Sequence, residues 1–121
     1  MDIEVKVQDK NPDVKVVLLK GNLDVVAAET ALPAIMDALD QSAAGLILDL
    51  AGMGFMSSAG LRVLISVRRK SETDGKQIAM IGAHPAIYKI FKIAGLDTTF
   101  RFFESEAEAI RAIWPQARNT L

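Results

Sequence analysis

The stretch Gly45-Leu46-Ile47-Leu48-Asp49-Leu50-Ala51-Gly52-Met53-Gly54-Phe55-Met56-Ser57-Ser58-Ala59-Gly60-Leu61 decides how the rest of the chain is read. Its first six residues are nearly all apolar and partly β-branched, as in a strand covered on both faces, so they predict a central, parallel strand. Ala51 to Met56 reads as a loop. Ser57-Ser58 then opens an amphipathic helix that carries Leu61, Leu64 and Ile65 and ends in Arg68-Arg69-Lys70, where cations oppose the negative helix pole.

On the N-terminal side, Ile3, Val5 and Val7 alternate with Glu4 and Lys6, Asn11-Pro12-Asp13 supplies turn chemistry, and Val14 to Leu19 is a second apolar run. That pattern predicts a hairpin, ended by Gly21. Leu32, Ile35, Met36 and Leu39 follow at helical spacing, which places Pro33 near the first turn of a helix. On the C-terminal side, Gly75 closes the helical connection, Gln77 to Ile81 reads as a strand, and Pro85 after His84 opens a third helix with the stripe Ile87, Ile90, Phe91 and Ala94, stopped by Gly95. Thr98 to Phe103 reads as a last, more exposed strand. Ser105 with Glu108 forms a capping box for a short helix through Ile110 and Ile113, seated by Trp114 and the Phe102-Phe103 pair, and Pro115 to Leu121 is expected to fray. The order β, β, α, β, α, β, α, β, α predicts a small α/β fold: a mostly parallel central sheet, an N-terminal antiparallel hairpin and about four helices. Residues 1–121 are expected to form one domain, with its core at about 3–114 and a flexible C-terminal tail.

Lys and Arg number 14 against 15 Asp and Glu, a net charge of −1, so no global positive field exists to hold nucleic acid or an anionic membrane. The absence of cysteine removes disulfides, thiolate nucleophiles and cysteine-based metal sites, and a lone His84 leaves little other metal chemistry. Neither metal nor cofactor is expected. No apolar run approaches the roughly 20 residues of a spanning helix, and Met1 to Lys6 alternates in character unlike a secretory signal; the expectation is a cytoplasmic protein.

In an open α/β sheet, functional groups gather where the carboxyl ends of strands meet helix starts, which directs attention to residues 53–61. Gly52-x-Gly54 has the beginning of a dinucleotide loop, but Ser57 stands at the third glycine position, Phe55 and Met56 crowd the approach, and no P-loop lysine motif exists. Ser58-Ala59-Gly60, with Asp74 and His84 downstream, has half of an esterase elbow; Met56 occupies the position of its first glycine, and Asp74 sits in an exposed polar turn. In the plainest alternative Ser57 or Ser58 only caps the helix, contributing about 1 kcal/mol. That alternative leaves the apolar pair Phe55-Met56, directly before two hydroxyls, without a purpose.

The strand ending in Asp49-Leu50, the string Phe55-Met56-Ser57-Ser58-Ala59-Gly60-Leu61, and Gly21-Asn22-Leu23-Asp24 after the second strand together resemble the signature of the STAS domain family, specifically the bacterial anti-sigma factor antagonists. The resemblance follows the element order over nearly the whole chain. It implies no catalysis and a partner-switching role: the unphosphorylated protein binds an anti-sigma factor that is a serine kinase with a histidine-kinase-like ATPase fold, freeing the sigma factor. Phosphorylation of the loop serine ends that binding, and a serine phosphatase restores it. The matching serine is Ser58, with Ser57, which stands where the family usually has Asp, as second choice. The implied partner surface comprises Asn22, Asp24, Phe55, Met56, Ser57, Ala59, Gly60, Leu61 and Arg62, with Arg62 also able to pair with a phosphate on Ser58. Asp24 serves equally well as a helix cap, Arg62 as a solvated helix residue. Asp49 is expected to hydrogen-bond loop amides, His84 to be a loop residue, and the free protein to be a monomer. The departure at Ser57 keeps a second function open: an unmodified STAS scaffold, or a module sensing a small ligand such as a nucleotide or lipid.

Overall fold

The computed structural model describes the backbone of residues 3–9 and 13–118, with side chains through Ile113. Asn11 and Pro12 of the expected hairpin turn lie outside these residues. Strands β1 (Ile3–Asp9) and β2 (Val14–Leu23) pair antiparallel, as the alternation predicts. Three more strands, β3 (Gly45–Asp49), β5 (Gln77–Ile81) and β6 (Arg101–Phe103), continue the sheet in parallel, in the order β1-β2-β3-β5-β6. The β3 strand is central, and Leu46, Ile47 and Leu48 are buried completely. Helices α1 (Val25–Gln41), α2 (Ser58–Thr73), α3 (Pro85–Ile93) and α4 (Glu106–Arg118) connect and cover it.

Each face of the sheet has its own core. Leu19, Leu23, Leu46, Leu48, Ile35, Leu39, Leu64 and Phe91 gather on one face under α1, α2 and α3; Val14, Val16, Ile47, Ala79, Ala109 and Ile113 gather on the other beneath α4. The two aromatic neighbours Phe102 and Phe103 separate accordingly, since successive strand side chains point to opposite faces. Phe103 does pack on the core beneath α4, but Phe102 turns away from that helix and meets Tyr88 and Phe91 edge-on, with ring centroids 5.0 and 5.1 Å apart. The Trp114 side chain is outside the described residues.

Four expectations need correction. Ala51 to Met56 is not a loop throughout: Met53–Met56 forms a fourth strand, β4, parallel to the far end of β2. The reason is length. With ten residues, β2 outlasts β3, which pairs with it only from Val14 to Leu18, so the chain turns after Leu50 and re-enters beside Gly21 to Leu23. Second, α1 begins at Val25, so Pro33 lies inside it. Pro33 and Glu29, whose carbonyl loses its helical donor, are both exposed, where water can take the lost bond. Third, the last strand covers only Arg101–Phe103; Thr98 and Thr99 turn, and Phe100 is buried. Fourth, the last helix, read as short and running through Ile113, extends past Pro115 to Arg118. Residues 119–121 lie outside the description.

Other local signals agree with their sequence. The Glu108 N–H donates to Ser105 Oγ (3.2 Å), and Glu108 Oε1 reaches back to the Glu104 N–H (3.3 Å). Gly95 ends α3 with φ at 76°, and the Leu96 N–H closes onto the Phe91 carbonyl at 2.8 Å. Ala94, expected on the apolar stripe, is the exposed C-cap instead. No helix among the described residues is long and apolar enough to cross a membrane.

Candidate functional site

The carboxyl ends of β2 and β4 lie side by side, with Asn22 opposite Phe55 and Leu23 opposite Met56. Each strand leads directly into a helix, so the starts of α1 and α2 are neighbours. Asp24 caps α1, its Oδ1 accepting from the Ala27 N–H at 2.9 Å. Ser57 caps α2: its Oγ accepts from the Gly60 N–H (3.2 Å) and donates to the Leu23 carbonyl (3.3 Å), which also receives the Ser57 N–H at 2.9 Å. The Leu23 carbonyl thus ties the two helix starts together.

This geometry gives the two neighbouring serines different circumstances. Ser57 is partly buried and its hydroxyl is engaged as both donor and acceptor. Ser58 is exposed at the first helical position, and no hydrogen bond among the described residues involves its hydroxyl. The first N–H groups of a helix have no partner within it and carry a partial positive charge, so this end of α2 favours an anion placed on Ser58. Arg62, one turn further on, is exposed.

Gly60 explains why the bend into α2 is so tight. A Cβ there would stand 2.4 Å from the Leu23 carbonyl oxygen and 2.7 Å from Leu23 Cγ. Only a residue without a side chain lets α2 descend onto the end of β2. Gly60 and Met56, which the resemblance placed on the partner surface, are buried, the latter 3% exposed, and lie beneath the exposed residues around them. Leu61 is partly buried and packs on the core, and Ala59 is also partly buried. Of the other expected residues, Phe55 (51% exposed) and Arg62 lie open, and Asn22, Asp24 and Ser57 are half-buried around them.

Two features were not read from the sequence. Val25 and Val26, 63% and 73% exposed, follow the α1 cap and extend the apolar surface on the α1 side of the site. Their place was hidden because the buried stripe of early α1 consists of Ala27 and Ala31, too weakly apolar to mark a helix. His84 is more than a loop residue: its Nε2 lies 2.9 Å from the Met53 carbonyl, so that nitrogen carries a proton and ties the start of α3 to β4. Asp49 behaves as expected, accepting from the Ala51 N–H at 2.9 Å.

The enzyme-like readings fail on position. Asp74 caps the far end of α2, about 24 Å from Ser58 along the helix, and His84 is engaged with Met53. Gly54 lies within β4, not in a turn that could cradle phosphates. No group of acidic and histidine residues among those described is arranged to hold a metal ion.

The STAS domain model matches residues 4–109. The chain belongs to the STAS domain family. A curated relative, the anti-sigma-F factor antagonist RsfB of Mycobacterium tuberculosis, is 27% identical over 111 residues, covering 92% of this chain and 89% of RsfB. Among solved structures, an anti-sigma factor antagonist from Mycobacterium paratuberculosis superposes with a TM-score of 0.81 at 28% identity, covering 92% of this chain and 93% of that one. SpoIIAA shares the fold in its unphosphorylated form (TM-score 0.76, 23% identity, 90% and 96% covered) and in its phosphorylated form from Bacillus (0.70, 24%, 90% and 98%). The STAS family thus accounts for the mixed sheet, the hairpin and the four helices together.

Proposed function

We propose that this chain is an anti-sigma factor antagonist whose unphosphorylated form docks an anti-sigma factor serine kinase, of the histidine-kinase-like ATPase fold, through the surface around Ser58, and so frees a sigma factor. One observation carries the reading: at the start of α2 the Ser57 hydroxyl is committed to the cap while the Ser58 hydroxyl stands exposed on rigid backbone beside exposed Phe55. The names of RsfB and of the mycobacterial structure support it.

In the switching step Ser58 Oγ bonds to the γ-phosphorus of ATP as the bond to ADP breaks, and the hydroxyl proton passes to a base on the kinase. The product carries about −1.5 to −2 charges on a surface that otherwise offers Val25, Val26 and Phe55. Docking would then require desolvating a dianion against apolar groups, which weakens the complex. The helix start and Arg62 stabilise the same anion in the free domain, so the switch acts on binding and leaves the fold intact. That SpoIIAA resembles this chain in both its forms agrees with a fold that survives the modification. A serine phosphatase restores the docking form, and the domain itself performs no catalysis.

The test is calorimetry with the ATPase-type kinase encoded in the same genome, with ADP present, so that the chain stays unphosphorylated. The wild-type chain is expected to bind, and Ser58→Asp to bind about 100-fold more weakly with an unchanged circular dichroism spectrum. Equal affinity of the two, or no complex with the wild-type chain, would return the protein to the scaffold or ligand-sensing reading.

A further inference from the structure

The β1 strand ends the sheet, so one of its edges has no neighbour among the described residues. An open edge seven residues long is a template for another strand, whereas β6 at the opposite end offers only three. The side chains of β1 fit a second copy of themselves in one antiparallel register. With Val5 facing Val5 of the other copy, each Glu4 stands opposite a Lys6 and each Ile3 opposite a Val7. A two-fold axis perpendicular to the sheet allows the centre to move only onto another residue. Moving it to Lys6 sets two lysines face to face, and moving it to Glu4 sets two glutamates face to face. Like charges directly opposite are destabilising, and a centre on Val7 would set each Val5 against a charged Asp9, so Val5 is the centre that pairs opposite charges with each other and apolar side chains with each other.

Two further observations suit this pairing. Val7 is 44% exposed although it lies on the strand face whose other members, Ile3 and Val5, pack on the core; the second copy's Ile3 would cover it. On the opposite face Glu4 already stands across from Lys20 of its own chain, so the partner's Lys6 would complete an alternating row of charge.

We propose that two copies of this chain associate through antiparallel β1 edges centred on Val5, joining their sheets into one. This replaces the monomer expected from the sequence, and it stands apart from the proposed function. Because the paired strands run in opposite directions, the two Ser58 sites point to opposite ends of the joined sheet, and both remain open.

Sedimentation equilibrium of the full chain is the first test. The wild-type chain is expected to show a monomer–dimer equilibrium below about 1 mM, the range of weak association. Lys6→Glu, which sets like charges opposite each other twice, is expected to weaken it about tenfold, and Glu4→Lys with Lys6→Glu and Lys20→Glu, which keeps residue 4 opposite an unlike charge on both sides, to restore it. The register is read separately, in a chain that has no cysteine of its own. Paired Cα atoms lie about 4.5 to 5.5 Å apart, within disulfide range, so Val5→Cys should cross-link on mild oxidation. Val7→Cys, whose copies would sit about 14 Å apart, should not. A wild-type chain that stays monomeric at about 1 mM, an unaffected Lys6→Glu, a charge swap that restores nothing, or equal cross-linking at both positions would each overturn the proposal.

Discussion

The two ends of the parallel sheet differ in what they leave unsatisfied. At the amino end, a cleft of about 300 Å³ lies between the end of α2 and the starts of β5 and β6, lined by Arg68, Lys76 and Arg101 among others. Its charges are already occupied. Arg68 pairs with Glu72 at 2.9 Å and its Nε donates to the Thr99 carbonyl; the Lys76 ammonium donates to the Leu39 and Asp40 carbonyls that end α1; Arg101 lies over the Phe103 ring. Nearby, hydrogen bonds to Asp74 and then Asp40 hold the Lys70 ammonium above its usual pKa. The carboxyl end instead presents exposed valines, an exposed phenylalanine and a hydroxyl with no hydrogen bond among the described residues. Concavity alone favours the amino end, whereas the proposed function rests on the carboxyl end. The proposed docking surface is the one whose groups lack partners within the described chain.

That contrast can be broken most forcefully from beneath the site. Gly60→Ala forces a methyl group against the Leu23 carbonyl, and we expect about 2 to 3 kcal/mol of lost stability in urea unfolding. An ordinary surface cost of a few tenths would mean that the tight junction of α2 and β2 is not a constraint. Phe55→Ala should weaken kinase binding about tenfold in calorimetry with stability unchanged, while Arg101→Ala at the other end should leave affinity as it was. Equal effects at both ends would erase the distinction. Smallest of the three, Ser57→Ala should cost about 1 kcal/mol in the same unfolding measurement, the worth of one cap, and should leave Ser58 open to modification.

Much of this arrangement is legible in the chain itself. Alternation fixes the hairpin, the unbroken apolar run of β3 makes it central, and Gly95 and the Ser105-Glu108 box mark helix ends by simple turn and cap chemistry. The site's position follows from strand-to-helix topology, and the exposure of Phe55 and Ser58 agrees with it. What stayed hidden depends on distant partners. A four-residue stretch with two buried and two exposed positions becomes β4 only because β2 is longer than β3. Met56 looks like part of an exposed apolar pair until β2 takes it into the core, and nothing local to His84 points to the Met53 carbonyl. The alanine stripe of α1 concealed both the helix start and the two valines that follow its cap.

The most direct measurement is a site map: incubate the wild-type chain and Ser57→Ala with the kinase and ATP, then locate phosphate by fragmentation mass spectrometry. The account predicts one phosphate on Ser58 in both proteins. Phosphate on Ser57, or none on either serine while the kinase phosphorylates another substrate, would contradict it.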